Sequence, residues 1–111
     1  MTTCVIDTSV ALAWCFEDEL TSQSEKLLEE VAKFGAVVPN LWHLEICNAL
    51  KIAEIRKRIS HAAVLEQLEN FSQLSINVDQ FTATHAWSAI LGIAHEFDLT
   101  SYDAAYVELA R

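Results

Sequence analysis

Three acidic residues far apart in the chain, Asp7, Glu45 and Asp103, stand where a fully solvated side chain is not expected. Asp7 closes the short apolar run Cys4-Val5-Ile6, Glu45 falls on the apolar side of a helix, and Asp103 opens another helix with its side chain expected on the apolar face. A carboxylate carried toward a core needs a proton, a cationic partner or a metal, because uncompensated burial is costly. Three such groups point to a cation site made of oxygen donors. Magnesium takes oxygen ligands near octahedral geometry, keeps several waters and is usually held by one or two carboxylates plus a substrate phosphate. An ion of that kind lowers the pKa of a bound water, places it for in-line attack on phosphorus and offsets charge on the leaving oxygen.

Each acid also has a purely structural reading. At about 100° per residue, His43, Cys47, Lys51, Glu54 and Arg58 share one side of their helix, while Leu41, Asn48 and Ile52 share the other with Glu45. An inward Glu45 would be equally served by a buried Arg or a neighbouring backbone amide. Thr100-Ser101-Tyr102-Asp103 fits a capping box, where an acid in the first turn gains from the helix dipole. Asp7, between a strand and a helix, is also a fair N-cap. The coincidence of the three favours function.

The elements that must position them alternate. Thr3 to Asp7 reads as a strand, followed by a helix over 9–16 capped by the Thr8 and Ser9 hydroxyls, then an exposed acidic corner at Glu17-Asp18-Glu19. A helix over 21–34 ends at Gly35, and Ala36-Val37-Val38-Pro39 reads as a buried strand. Asn40 is the expected cap of a long helix to about Arg58, Ser60 of another to about Leu74, and 75–78 is a third strand. One helix is expected over 81–97, and Thr100 or Ser101 caps the last. Short apolar strands separated by helices indicate an α/β fold, a parallel sheet covered on both faces, with its ligand crevice at the strands' carboxyl ends.

The 111 residues are 52% hydrophobic with 2 Gly and 1 Pro, which suits a single domain over 1–111 without a linker. The first residues lack a basic segment ahead of Asp7, so no secretory signal is read. No apolar run approaches the roughly 18 residues a spanning helix needs, and a cytoplasmic protein without membrane contact is expected. Cys4, Cys15 and Cys47 read as reduced core thiols. Net charge is −9, from 7 basic and 16 acidic residues, which excludes a broad basic surface for nucleic acid and predicts a basic partner. Four of the cations, Lys51, Arg56, Lys57 and Arg58, gather at one helix end, where cations are favoured.

The remaining polar and aromatic candidates carry less. His43, His61, His85 and His95 lack a spacing that closes a zinc tetrahedron and read as helix-flank residues. Trp14, Trp42 and Trp87 read as packing residues rather than base-stacking platforms. Ser9 lacks the Gly-x-Ser-x-Gly elbow of a hydrolase nucleophile. A phosphate-handling domain of the dehalogenase or receiver type would want an Asp two residues after Asp7, where this chain has Ser9.

Three segments carry a family resemblance: Asp7-Thr8-Ser9-Val10-Ala11-Leu12-Ala13-Trp14, Leu44-Glu45-Ile46-Cys47-Asn48-Ala49-Leu50, and Thr100 to Ala110. Together they resemble a PIN domain, and more narrowly the VapC-type toxins of bacterial toxin–antitoxin pairs. The resemblance implies a three-layer α/β/α fold with a short central parallel sheet and a Mg2+- or Mn2+-dependent endoribonuclease leaving a 5′-phosphate and a 3′-hydroxyl. Asp7, Glu45 and Asp103 would be its catalytic and metal-binding acids. Ser9 would support the cluster and Asn48 is a looser supporting candidate. It further implies an RNA substrate and a VapB-type antitoxin laying an Arg or Lys across the carboxylates. A homodimer is expected through surplus apolar positions such as Trp42, Ile46 and Leu50. PIN domains usually add a fourth ligand and one more strand beyond the Asp103 helix. This chain stops at Arg111, so the C-terminal strand is expected to be missing, and a non-catalytic PIN-fold binding or assembly module with an incomplete metal site is the alternative.

Overall fold

In the computed structural model, which describes residues 4–111, three short strands form one parallel sheet in the order β1-β2-β3. They are β1 (Cys4–Val5), β2 (Ala36–Val38) and β3 (Ile76–Val78), with Cys4 opposite Ala36, Val5 opposite Val37 and Val37 opposite Asn77. Parallel neighbours require crossovers. These are α1 (Thr8–Ala13) and α2 (Ser22–Phe34) between the first two strands, then α3 (Trp42–Ile55) and α4 (His61–Ser72) between the second and third. After β3 come α5 (Thr82–His85), a π-helical turn over Ala86–Ile90, α6 (Leu91–Phe97) and α7 (Ser101–Ala110). The expected α/β class with a short parallel sheet is therefore what the chain adopts. Thr3, the expected start of the first strand, lies outside the described residues.

Side chains alternate across a strand, and Ile6, Ala36 and Val38 bury into a core shared with Ala11, Val31, Trp42, Ile46, Leu50, Val64 and Phe71. Trp42, Ile46 and Leu50 are 2%, 2% and 0% exposed, so the dimer face expected there is instead the hydrophobic centre of the domain. An apolar helical stripe looks the same in sequence whether it meets the sheet or a second subunit. A smaller cluster of Ile90, Ile93, Ala94, Ala104 and Ala105 ties α6 to α7, and α7 packs in turn against β1. That double attachment fixes the helix carrying Asp103.

Several boundaries differ from expectation for local reasons. Asp7, not Thr8 or Ser9, caps α1: its Oδ1 accepts from the Val10 amide at 2.9 Å. Asn40 does not cap α3, because the chain enters through a tight turn in which the Trp42 amide donates to the Pro39 carbonyl at 3.1 Å. The expected helix over 81–97 is split by the π-helical turn, with neither Gly nor Pro there to announce it. Thr21, Ser60 and Thr100 cap their helices. Gly35 ends α2 at φ +80°, where an added Cβ would sit 2.8 Å from the Ser75 carbonyl oxygen, so only glycine fits.

Cys4 and Cys15 are half-buried free thiols, whereas Cys47 is exposed rather than in the core. The long helix stops at Ile55 rather than about Arg58, with no basic residue in its last turn, so Arg56, Lys57 and Arg58 lie exposed beyond it; Arg58 is bonded to Glu19 at 2.9 Å with its guanidinium 4.3 Å from the Phe16 ring centroid. No helix among the described residues is long and apolar enough to cross a membrane.

Candidate active site

The three acids all stand at helix N-termini: Asp7 caps α1, while Glu45 and Asp103 lie in the first turns of α3 and α7. The positive end of the helix dipole favours an anion at each place. Local structure thus explains why each carboxylate is tolerated, and tertiary structure brings the helix ends together. Glu45 is half-buried, and its Oε1 accepts from the Thr8 hydroxyl at 3.0 Å and from the Tyr106 hydroxyl at 2.6 Å. The two hydroxyl oxygens are themselves 3.2 Å apart. Two protons serve three close contacts, so when both point at Glu45 the Thr8–Tyr106 contact has none. Residues from the start, middle and end of the chain therefore meet on one carboxylate oxygen.

Neither structural alternative for Glu45 is realised: among the described residues it has no Arg or Lys partner, and both its donors are hydroxyls. Burial pushes the Tyr106 phenol above its ordinary pKa, reinforced by its hydrogen bond to Glu45, opposed by the one with Thr8, and raised a little further by the charges of Glu45 and Asp7. Asp7 and Glu45 therefore act on the same hydroxyl. Ser9 donates from Oγ to Asp7 Oδ1 at 2.9 Å.

Two expectations need correction. Asp7 and Asp103 are exposed rather than turned into the core, and no charged side chain among the described residues is fully buried. For Asp103 the reason is that α7 turns Ala104 and Ala105 to the core, while Val107 and Ala110, which share the Asp103 side by helical spacing, are exposed as well. Its carboxylate forms no hydrogen bond or ion pair among the described residues, although it sits one helical turn before Tyr106. Asn48 is also exposed and lines a groove with Leu41, Leu44, Glu45 and Tyr102, without bonding any of the acids. The described residues hold no group of three or more His, Cys, Asp or Glu side chains arranged around one metal position.

The donor chemistry suits a hard divalent cation. Asp7 commits Oδ1 to Ser9 and Val10, and Glu45 commits Oε1 to Thr8 and Tyr106, so each keeps one oxygen uncommitted among the described residues. An ion that retains most of its waters needs no more than one or two such ligands.

The family model for the PIN domain matches residues 4–111. The chain is a PIN domain. No curated protein matches it. PIN domains are generally nucleases and generally use divalent metals, so the oxygen-rich meeting of helix ends stands in a family whose chemistry calls for one. In this PIN domain the residues that sequence reasoning overlooked are Thr8, taken for a capping hydroxyl, and Tyr106, which was given no role of its own. The signal was available, because Tyr106 lies three positions after Asp103 and Thr8 directly follows Asp7.

Proposed function

We propose that this PIN domain is a metal-dependent endoribonuclease that hydrolyses RNA phosphodiester bonds as the toxin of a VapC-type pair. The observation that carries the reading is Glu45 held by Thr8 and Tyr106, with Asp7 adjoining Thr8 and Asp103 one turn from Tyr106. Asp7, Glu45 and Asp103 would hold Mg2+ or Mn2+, which supplies an acidified water and offsets charge on the phosphate. Ser9 fixes the Asp7 carboxylate, and Thr8 and Tyr106 fix that of Glu45. An ion there also offsets the repulsion between a chain of net charge −9 and a polyanion.

In the same reading a VapB-type antitoxin sets a basic side chain against these carboxylates, and the protein acts in the cytoplasm. Self-association uses the outer face of the π-helical turn and the start of α6, where Trp87 is 93% and Leu91 55% exposed, in place of the buried α3 stripe. Cleavage of single-stranded RNA supported by Mg2+ or Mn2+, abolished by EDTA and lost in Asp7→Asn is the expected result. Cleavage by Asp7→Asn at the unaltered rate would overturn it.

A second reading, a PIN-fold binding or assembly module without turnover, is favoured by the absence of a ready-made three-ligand group among the described residues. Manganese soaking separates the two. An anomalous peak between Asp7 and Glu45 supports the nuclease, and its absence together with no cleavage supports the module.

A further inference from the structure

We propose that the groove between α3 and the first turn of α7 is a nucleobase subsite, in which Tyr102 stacks on an unpaired base of RNA against Leu44 while Asn48 meets the base edge. Leu41, Leu44, Glu45 and Asn48 form one stripe of α3, at positions i, i+3, i+4 and i+7, and Tyr102 faces it across a cavity of about 290 Å³. Tyr102 is 63% exposed and Leu44 75%, so a large aromatic and a large aliphatic side chain stand open to solvent immediately beside the half-buried Glu45. Neither belongs to a core cluster.

The groove's chemistry selects a base rather than a phosphate. No Lys or Arg lines it, and the Glu45 carboxylate in its wall repels an anion. Of the basic cluster past the far end of α3, Arg58 is committed to Asp18 and Glu19. An acidic domain that takes RNA at this face therefore needs contacts that do not depend on charge. Stacking on an aromatic ring is such a contact: every base has a π-face, and each stack is worth a measurable share of affinity. Asn48 adds an amide able to donate to and accept from a base edge.

The inference rests on the ribonuclease reading for its choice of ligand, and binding tests it apart from cleavage. Fluorescence anisotropy of the full chain with a short unstructured RNA, with Ca2+ in place of Mg2+ so that a cation still offsets the acidic charge and with RNA length checked on a gel, is compared with the same ribose-phosphate strand lacking its bases. Tyr102→Ala is expected to weaken binding to the intact RNA about tenfold, Tyr102→Phe to leave it nearly unchanged, and Tyr102→Ala to have no effect on the abasic strand. Intact-RNA affinity that is unchanged in Tyr102→Ala, or lost equally on the abasic strand, overturns the subsite. Tyr102-dependent binding without cleavage in Mg2+ sinks the nuclease reading alone; cleavage with Tyr102-independent binding sinks the subsite alone.

Discussion

Removing one hydroxyl tests whether Glu45 is held as described. Tyr106→Phe keeps the ring and its packing while deleting the 2.6 Å donor to Glu45 Oε1 and the 3.2 Å contact with Thr8. Hydrogen bonds to charged groups contribute roughly 1.5–3 kcal/mol. Glu45 is only half-buried and Thr8 still donates to the same oxygen, so the loss belongs at the low end, about 1–1.5 kcal/mol. Urea denaturation should show that difference as a lower midpoint with an unchanged slope. The pH dependence gives a second handle. The folded-state pKa of Tyr106 lies above its ordinary value of 10.0, so the wild-type advantage is fully present below that pH. It begins to fall once pH passes 10.0 and is lost as pH rises through the higher folded value. Other ionisations are common to both proteins and cancel in the difference. Equal stability at neutral pH, or a gap that does not narrow in alkali, would refute the account.

Asp7 has two duties that substitution can separate. Asn caps a helix about as well as Asp, so Asp7→Asn should leave thermal stability nearly intact while abolishing RNA cleavage, whereas Asp7→Ala should cost about a further 1 kcal/mol in a thermal melt. Leu50→Ala, at a side chain 0% exposed, should lower unfolding free energy by roughly 2–5 kcal/mol without changing the sedimentation coefficient of the folded protein. Burial, helped by the charge of Glu19, raises the Cys15 thiol to about 11. Iodoacetamide at mildly alkaline pH should therefore alkylate exposed Cys47 well before Cys15, as peptide mass spectrometry would show.

Much of the fold was legible because its punctuation is local. Gly35 stops a helix by backbone geometry alone, Ser60 and Thr100 cap by their own hydroxyls, the apolar run at 36–38 reads as a buried strand, and at 76–78 β-branched Ile76 and Val78 flank an exposed Asn77 in strand alternation. What escaped depends on distant partners. The turn Pro39-Asn40-Leu41-Trp42 satisfies its own backbone and so needs nothing from Asn40, and no residue type announces the π-helical turn at 86–90. Among the site residues, Glu45 was grouped with Leu41, Asn48 and Ile52, but the buried side of α3 carries Trp42, Ile46, Leu50 and Ala53, and the hydroxyls that hold the half-buried Glu45 come from positions 37 and 61 residues away. Asp103 was read as turned inward because spacing reports which residues share a side, not which side meets the core; in α7 that side is set by the small Ala104 and Ala105 rather than by Val107.

The Thr8–Tyr106 contact spans 98 positions, and with Glu45 between them it ties an early segment to one that is synthesised late. During translation the carboxylate has only a single hydroxyl anchor until the α7 segment emerges from the ribosome and docks. On the proposed toxin reading, potency waits until α7 has been made and has docked, leaving an interval in which a neutralising partner can be waiting before there is anything to neutralise.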